Sequence, residues 1–271
     1  MARLRPAVPT ARWIAAGIVI LAAAFVAAAP VSQPQGATAL RVVSYNIKHG
    51  RGMDDAVNLE RTAAVVRPLQ PDVVGLQEVD DKATRSGGVD QAEAMGKLLG
   101  MHHAFGKFMD YQGGAYGMAI LSRHPIVRSE SVMLPRGNEP RVALVVHVRL
   151  PDGRTIAVVN VHFDWVNDDG FRFAQAETLA KFLDGLTVPF VLIGDFNDVP
   201  DSRTLALFRA RATEARKPAG QSFTFSSTAP EREIDYVFYA PATVFAAGEV
   251  RVIDERVASD HRPVFAVLTQ K

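Results

Sequence analysis

There is no cysteine anywhere in this chain of 271 residues. Disulfides, thiolate nucleophiles and cysteine-bound zinc are therefore excluded, and any metal must be held by oxygen and imidazole. A basic surplus is missing as well, with 30 Lys and Arg set against 29 Asp and Glu. Arg3, Arg5 and Arg12 all precede the first acidic residue, so the rest of the chain is slightly acidic. Sequence-independent nucleic-acid binding draws its affinity from neutralising many phosphates, which calls for a basic stripe. The composition allows nucleic acid as a partner without favouring it. Internal repeats are absent too. A chain with 48% hydrophobic and 22% charged residues can bury one sizeable core, and nothing in its make-up suggests disorder.

Long apolar runs are scarce, with one exception. Residues 13 to 29 are uninterrupted by charge, follow three arginines and end before Pro30. That pattern reads as a signal peptide or an uncleaved N-terminal membrane anchor over 1–29, followed by a linker at 30–39. Basic residues ahead of the run place the N-terminus inside and the remainder outside. The expected location is extracytoplasmic: periplasmic, secreted or membrane-anchored.

From Leu40 to the end, short apolar runs alternate with helical periods, which predicts one α/β domain over 40–271. Strands are expected at 40–47, 72–78, 116–122, 141–150, 155–163, 189–194, 222–226, 234–239 and 262–268. Helices are expected at 58–69, 89–99, 171–184 and 202–210. Pro151-Asp152-Gly153-Arg154 between two apolar runs is a hairpin signal, so the sheets must be partly antiparallel. Mixed strand order with interspersed helices predicts two packed, mixed β-sheets flanked by helices.

Polar residues recur just beyond the ends of apolar strands, where a packed layer can hold side chains in a cleft. Asn46, Glu78, Asp195 with Asn197, and the pair Asp260-His261 all occupy such positions, while Asn160 and His162 interrupt an apolar strand. Asp235 follows Ile234. A cleft-facing polar group is costly unless it is paired or ligating, so repeated placement of this kind points to a single constellation. Hard cations select carboxylate and amide oxygens, which suits Glu78. Phosphoester hydrolysis needs an oriented water and positive charge on the phosphoryl oxygens. Asp195 and Asn197 suit the first task and His162 and His261 the second, with Asp235 or Asp260 backing His261.

Six short segments occur in one order: Ser44-Tyr45-Asn46-Ile47, Leu76-Gln77-Glu78-Val79, Asn160-Val161-His162, Gly194-Asp195-Phe196-Asn197, Ile234-Asp235-Tyr236 and Ser259-Asp260-His261-Arg262-Pro263. In that order they resemble the endonuclease/exonuclease/phosphatase superfamily, over about 40 to 268. The resemblance implies a four-layered α/β sandwich and a metal-dependent hydrolase of phosphoesters. It implies a magnesium site, with manganese as the alternate cation, centred on Glu78 and assisted by Asn46 and Asp260. It also implies that Asp195 and Asn197 place the water and phosphate, that His261 is the catalytic imidazole, and that Asp235 supports it. His162 looks like the second histidine of the secreted deoxyribonuclease, sphingomyelinase and inositol-phosphatase branches. Tyr116, Arg141 and Asn160 are expected on the substrate.

Lys48 is a departure, because several nuclease members carry an acid two positions after the asparagine that holds metal. Its presence argues against a second cation site. Asn46-Ile47-Lys48-His49-Gly50 with Asn58-Leu59-Glu60-Arg61 also resembles the branch of glycolipid-anchor remodelling proteins. The leading expectation is a monomeric phosphodiesterase acting on phospholipid or lipid-linked head groups. A secreted nuclease and a catalytically silent binding module stand as the alternatives. Loops around 80–90, 102–115, 134–140 and 164–172 are expected to decide the substrate.

Overall fold

The computed structural model describes Ala39–Lys271 and the first two residues. The apolar run at 13–29 and the linker up to residue 38 lie outside the described residues. Among the described residues no helix is long and apolar enough to cross a membrane. The elements in chain order are β1 (Ala39–Asn46), α1 (Leu59–Val66), β2 (Val73–Asp81), α2 (Gln91–Leu99), β3 (His102–Tyr111), β4 (Gly114–Ser122), β5 (Ile126–Met133) and β6 (Val142–Arg149). They continue with β7 (Thr155–His162), α3 (Gly170–Asp184), β8 (Phe190–Asp195), α4 (Arg203–Arg209), β9 (Thr213–Glu214), β10 (Asp235–Ala240), β11 (Phe245–Val252) and β12 (Val264–Gln270).

Two six-stranded sheets result, in the orders β11-β12-β1-β2-β4-β3 and β5-β6-β7-β8-β10-β9. Both are mixed: β1 runs parallel to β2 and β7 to β8, while the neighbouring pairs are antiparallel. Strand side chains alternate between faces, and here each face has its own apolar layer. Val42, Ile120, Val146, Val158 and Ile193 meet between the sheets. Val43, Leu76 and Leu121 pack against Ala63 and Val66 of α1 and Ala92 and Met95 of α2. Val145, Val159 and Leu192 pack against Leu179 of α3 and Phe208 of α4. The four-layered sandwich expected from the sequence is the structure observed. Inner strands covered on both faces need no polar alternation, which is why they read as continuous apolar runs.

The strands that escaped the sequence lie mostly at sheet edges. β3, β5 and β11 are edge strands and β9 is a two-residue edge pairing. Half of their side chains meet solvent, as in the exposed positions of β5, so no apolar run marks them. The stretch 102–115, read as a loop, is largely the β3-β4 hairpin. The strand expected at 222–226 is absent. Thr224 and Phe225 both donate their N–H groups to the Arg232 carbonyl in a tight return, and Phe225 makes only isolated bridges with Arg232 and His261.

Asn160 is also placed differently from expectation. Its side chain is wholly buried between the sheets and does not line the catalytic cleft. The amide oxygen accepts from Gln77 Nε2 at 2.7 Å, and the amide nitrogen donates to the carbonyls of Leu76 and Ala119, each at 2.9 Å. Asn160 thus ties the second sheet to the first. Asn160→Leu removes three buried hydrogen bonds, leaving Gln77 Nε2 with only its longer contacts to Ser44 Oγ and the Gly75 carbonyl, so a loss of about 2–3 kcal/mol is expected, or roughly 5–10 °C in Tm by calorimetry.

Candidate active site

The two parallel pairs, β1-β2 and β7-β8, end side by side, and their terminal residues converge between the sheets. Glu78 sits at a bulge between Gln77 and Val79 with φ 56, a left-handed conformation inside a strand. Such backbone costs on the order of 1 kcal/mol or more and re-aims the side chain. At Gly194 φ is 152, and a Cβ would come within 2.1 Å of the Val161 carbonyl. β8 therefore approaches β7 very closely just before Asp195, which lies opposite His162 in the register.

The cleft at these strand ends encloses about 360 Å³ and is lined by Glu78, Tyr116, Arg141, His162, Asp195, Asn197, Asp260 and His261, together with Glu139, Trp165, Phe225, Arg232 and Ile234. Asn46 lies directly beneath. Its Nδ2 donates to Glu78 Oε1 at 3.0 Å and to Asp195 Oδ2 at 3.2 Å, and its Oδ1 accepts the Lys48 N–H at 3.1 Å. Asp195 Oδ2 is 3.5 Å from His162 Nε2 and 3.6 Å from His261 Nε2. Its other oxygen accepts the Asn197 N–H at 2.9 Å, and Asn197 Nδ2 is tied to the Phe163 carbonyl at 3.0 Å. Asp235 Oδ2 lies 2.9 Å from His261 Nδ1. Of the two carboxylates considered as support for His261, Asp235 has that place.

Burial pushes the Asp195 carboxyl up to about 7, with the His261 charge opposing it and the Asp235 charge adding to it. Burial pulls His261 down, but the charges of Asp235 and Asp195 outweigh it and hold the imidazole up at about 10. His261 is thus a cation at neutral pH. His162 goes the other way: burial, then Arg141 and His261, drive its pKa well below the usual value, so it is neutral. Burial also raises Glu78, against the Asn46 hydrogen bond.

Asp260 lines the cleft but is ion-paired with Lys48 Nζ at 2.9 Å. A fixed ammonium thus stands at the one place where the sequence departs from the nuclease pattern. The donor set fits a hard cation. Glu78, Asp260 and Asn46 offer oxygen only, Asn46 engages just one Glu78 oxygen, and Asp235 Oδ1 is buried without a hydrogen-bond partner. Asp195, Asp235 and His261 also bring ligand atoms within 4.8 Å of one another. His261, already bonded to Asp235 and protonated, is poorly suited to ligation, whereas the carboxylates of Glu78, Asp195, Asp235 and Asp260 could each offer oxygen to a cation.

Tyr116 is buried beside the cleft, edge-on to Phe108 at 5.5 Å between ring centroids. Arg141, which is 1% exposed, pairs through Nη2 with Glu139 at 3.0 Å, while its Nε and Nη1 have no partner. Trp165, Glu139, Phe225 and Arg232 also line the cleft. Glu139 and Trp165 fall in the loops 134–140 and 164–172 expected to decide the substrate, without being singled out there; Phe225 lies in the stretch 222–226 expected as a strand, and Arg232 lies beyond it on the same return.

Behind the site, His49 occupies a turn with φ 45 and is buried with Nδ1 unpartnered. Burial, and next the Arg85 charge, lower its pKa to about 4. The native state therefore refuses a proton that the unfolded chain accepts between pH 6.5 and 4, so this contribution is complete above about 6.5 and fades as pH falls. The raised carboxyls of Asp195 and Glu78 act with the opposite sign over the same range, so the His49 component is read by urea unfolding as the difference between parent and His49→Gln, changing by up to about 1.4 kcal/mol per pH unit across that window. His49→Gln should flatten that component.

Comparison with known proteins agrees with this geometry. Residues 43–261 match the Endonuclease/Exonuclease/phosphatase family. The uncharacterised protein YbhP of Escherichia coli K12 is 27% identical over 241 residues, covering 83% of this chain and 94% of YbhP. Protein cwh43 of Schizosaccharomyces pombe is 30% identical over 135 residues, which is 49% of this chain but only 14% of cwh43. The crystal structure of an endonuclease/exonuclease/phosphatase from Beutenbergia cavernae superposes with a TM-score of 0.71 at 27% identity, covering 86% of this chain and 72% of the other. The chain belongs to the endonuclease/exonuclease/phosphatase family, whose members are metal-dependent hydrolases of the phosphoesterase type.

Proposed function

We propose that this protein is an extracytoplasmic, magnesium-dependent phosphodiesterase acting on phospholipid or lipid-linked head groups. The character of the cleft carries this reading: a buried guanidinium at the wall and aromatic Trp165 and Phe225 around it, in a chain whose composition has no marked basic surplus. Buried donors without partners are costly, so Arg141 Nε and Nη1 call for an anionic oxygen, which a phosphoryl group supplies. The apolar run behind three arginines supports placement outside the cytoplasm.

Glu78, with Asp260 and Asn46 beside it, would hold the magnesium ion, whose positive charge would offset that of the phosphoryl oxygens. Asp195, with its pKa near neutrality, takes the proton from the attacking water, and Asn197 fixes its orientation. The water oxygen forms the new P–O bond as the ester P–O bond breaks, and the departing alkoxide leaves as the alcohol after taking a proton from solvent. His261, held as an imidazolium by Asp235, hydrogen-bonds the phosphoryl oxygen as negative charge builds on it. Neutral His162 lies against Asp195 on the other side and completes a preformed polar wall.

The test is hydrolysis by the 39–271 unit, with magnesium or EDTA, of bis-p-nitrophenyl phosphate, plasmid DNA and phospholipid vesicles. Metal-dependent head-group release without DNA nicking is expected. DNA nicking in place of release would transfer the site to a secreted nuclease, and silence on all three substrates would refute the phosphodiesterase reading in favour of a monoesterase or a silent binding module.

A further inference from the structure

The exposed apolar side chains of this molecule are gathered at one end. Between residues 39 and 271 every exposed large hydrophobic side chain but one, Val127, lies in a loop, at a strand terminus or, for Phe171, in the first turn of α3, at the catalytic end of the sheets. The exposed aromatics are all there: Trp165 is 58% exposed, Phe171 49% and Phe223 48%. They surround the mouth of the cleft. Trp165 lines it directly. Phe171 packs beside the wall that carries Glu139 and Arg141, since a Cβ on Gly137 would lie 3.0 Å from its own. Phe223 is two residues from Phe225 on the opposite wall.

Two guanidinium groups stand on the same walls, alongside the exposed carboxylates of Asp168 and Glu231. Arg136 precedes Gly137 on the Phe171 side, and Arg232 stands on the Phe225 side, 5.9 Å from that ring. Both are exposed, and neither forms an ion pair among the described residues. Aromatic side chains flanked by free guanidinium groups suit the boundary of a bilayer, where rings enter the acyl region and cations meet anionic head groups. We infer that the catalytic end docks on the surface of an anionic phospholipid bilayer through Trp165, Phe171 and Phe223, with Arg136 and Arg232 at head-group depth. This inference rests on the lipid reading of the site and adds to it a means of approach, because a docked cleft opens directly onto head groups.

The experiment uses the 39–271 unit, which contains both sheets and all three apolar cores. The chain has two tryptophans, Trp13 and Trp165, so the unit reports from Trp165 alone. Emission is followed as vesicles of phosphatidylglycerol and phosphatidylcholine are added in EDTA, which keeps hydrolysis off. A blue shift, quenched by brominated acyl chains and weakened by salt, is expected. Phe171→Ser combined with Phe223→Ser should lower vesicle partitioning about tenfold or more while preserving bis-p-nitrophenyl phosphate hydrolysis, since neither side chain lines the cleft. Unchanged emission with anionic vesicles, or undiminished partitioning of the double variant, would overturn the inference. So would a concentration-dependent dimer in light scattering without vesicle binding, which would assign the face to a second copy. A blue shift without head-group release in magnesium would leave the docking face standing and sink the lipid-hydrolase reading, whereas release without a shift would do the reverse.

Discussion

Asp195→Asn is expected to lower kcat for bis-p-nitrophenyl phosphate about 1000-fold at saturating divalent cation, measured on protein whose circular dichroism shows the fold retained. The carboxylate is buried, accepts from Asn46 Nδ2 at 3.2 Å, and lies 3.5 Å from His162 Nε2 and 3.6 Å from His261 Nε2. Asparagine keeps the shape and the oxygen that accepts the Asn197 N–H, but it cannot take a proton from water. General-base loss alone is worth about 100- to 10,000-fold. The amide also removes one of the two charges that keep His261 protonated, so the imidazole pKa should fall below about 10 and weaken the cation that faces the phosphoryl group. The sign with pH follows. Asp195 must be ionised to act, so the parent loses activity as pH falls through about 7, and the variant loses that limb. A kcat within tenfold of the parent would show that Asp195 is not the base.

The second large effect is expected at Arg172, on α3 and behind the cleft. Its side chain is 7% exposed, and its Nε donates to Asp198 Oδ2 at 3.0 Å. Its Nη1 donates to the carbonyls of Asp164 and Val166, both at 3.0 Å. One guanidinium thus joins the loop bearing Trp165 to the loop bearing Asn197. Arg172→Met leaves the Asp198 carboxylate buried without a cation and two carbonyls without a donor. Breaking a buried pair from one side costs about 3–5 kcal/mol, because an uncompensated charge remains. For a domain of this size that is on the order of 10 °C in Tm, measurable by calorimetry. Lysine should recover only part of the loss, since a single ammonium cannot replace the planar fork. If Arg172→Met melted within about 2 °C of the parent, the buried pair would not be what joins the two loops.

The sequence by itself determined the composition of the site and the identity of the inner strands. Glu78, Asp195 and His261 were legible because each interrupts an apolar pattern at a strand end, and β1, β2, β7 and β8 because burial on both faces leaves them uniformly apolar. Only the tertiary structure decided which partners these side chains have. Asn46 and Asp195 are 149 positions apart, and Asp235 rather than Asp260 holds His261 because β10 lies beside β8 in the sheet. Lys48 closing on Asp260, Asn160 pinned between the sheets, and Trp165 and Arg232 at the mouth likewise follow from how the two sheets stack. The physical reason is one of range. Hydrophobic periodicity is a local property of a few consecutive residues, whereas register, sheet order and charge pairing depend on contacts between segments far apart in the chain.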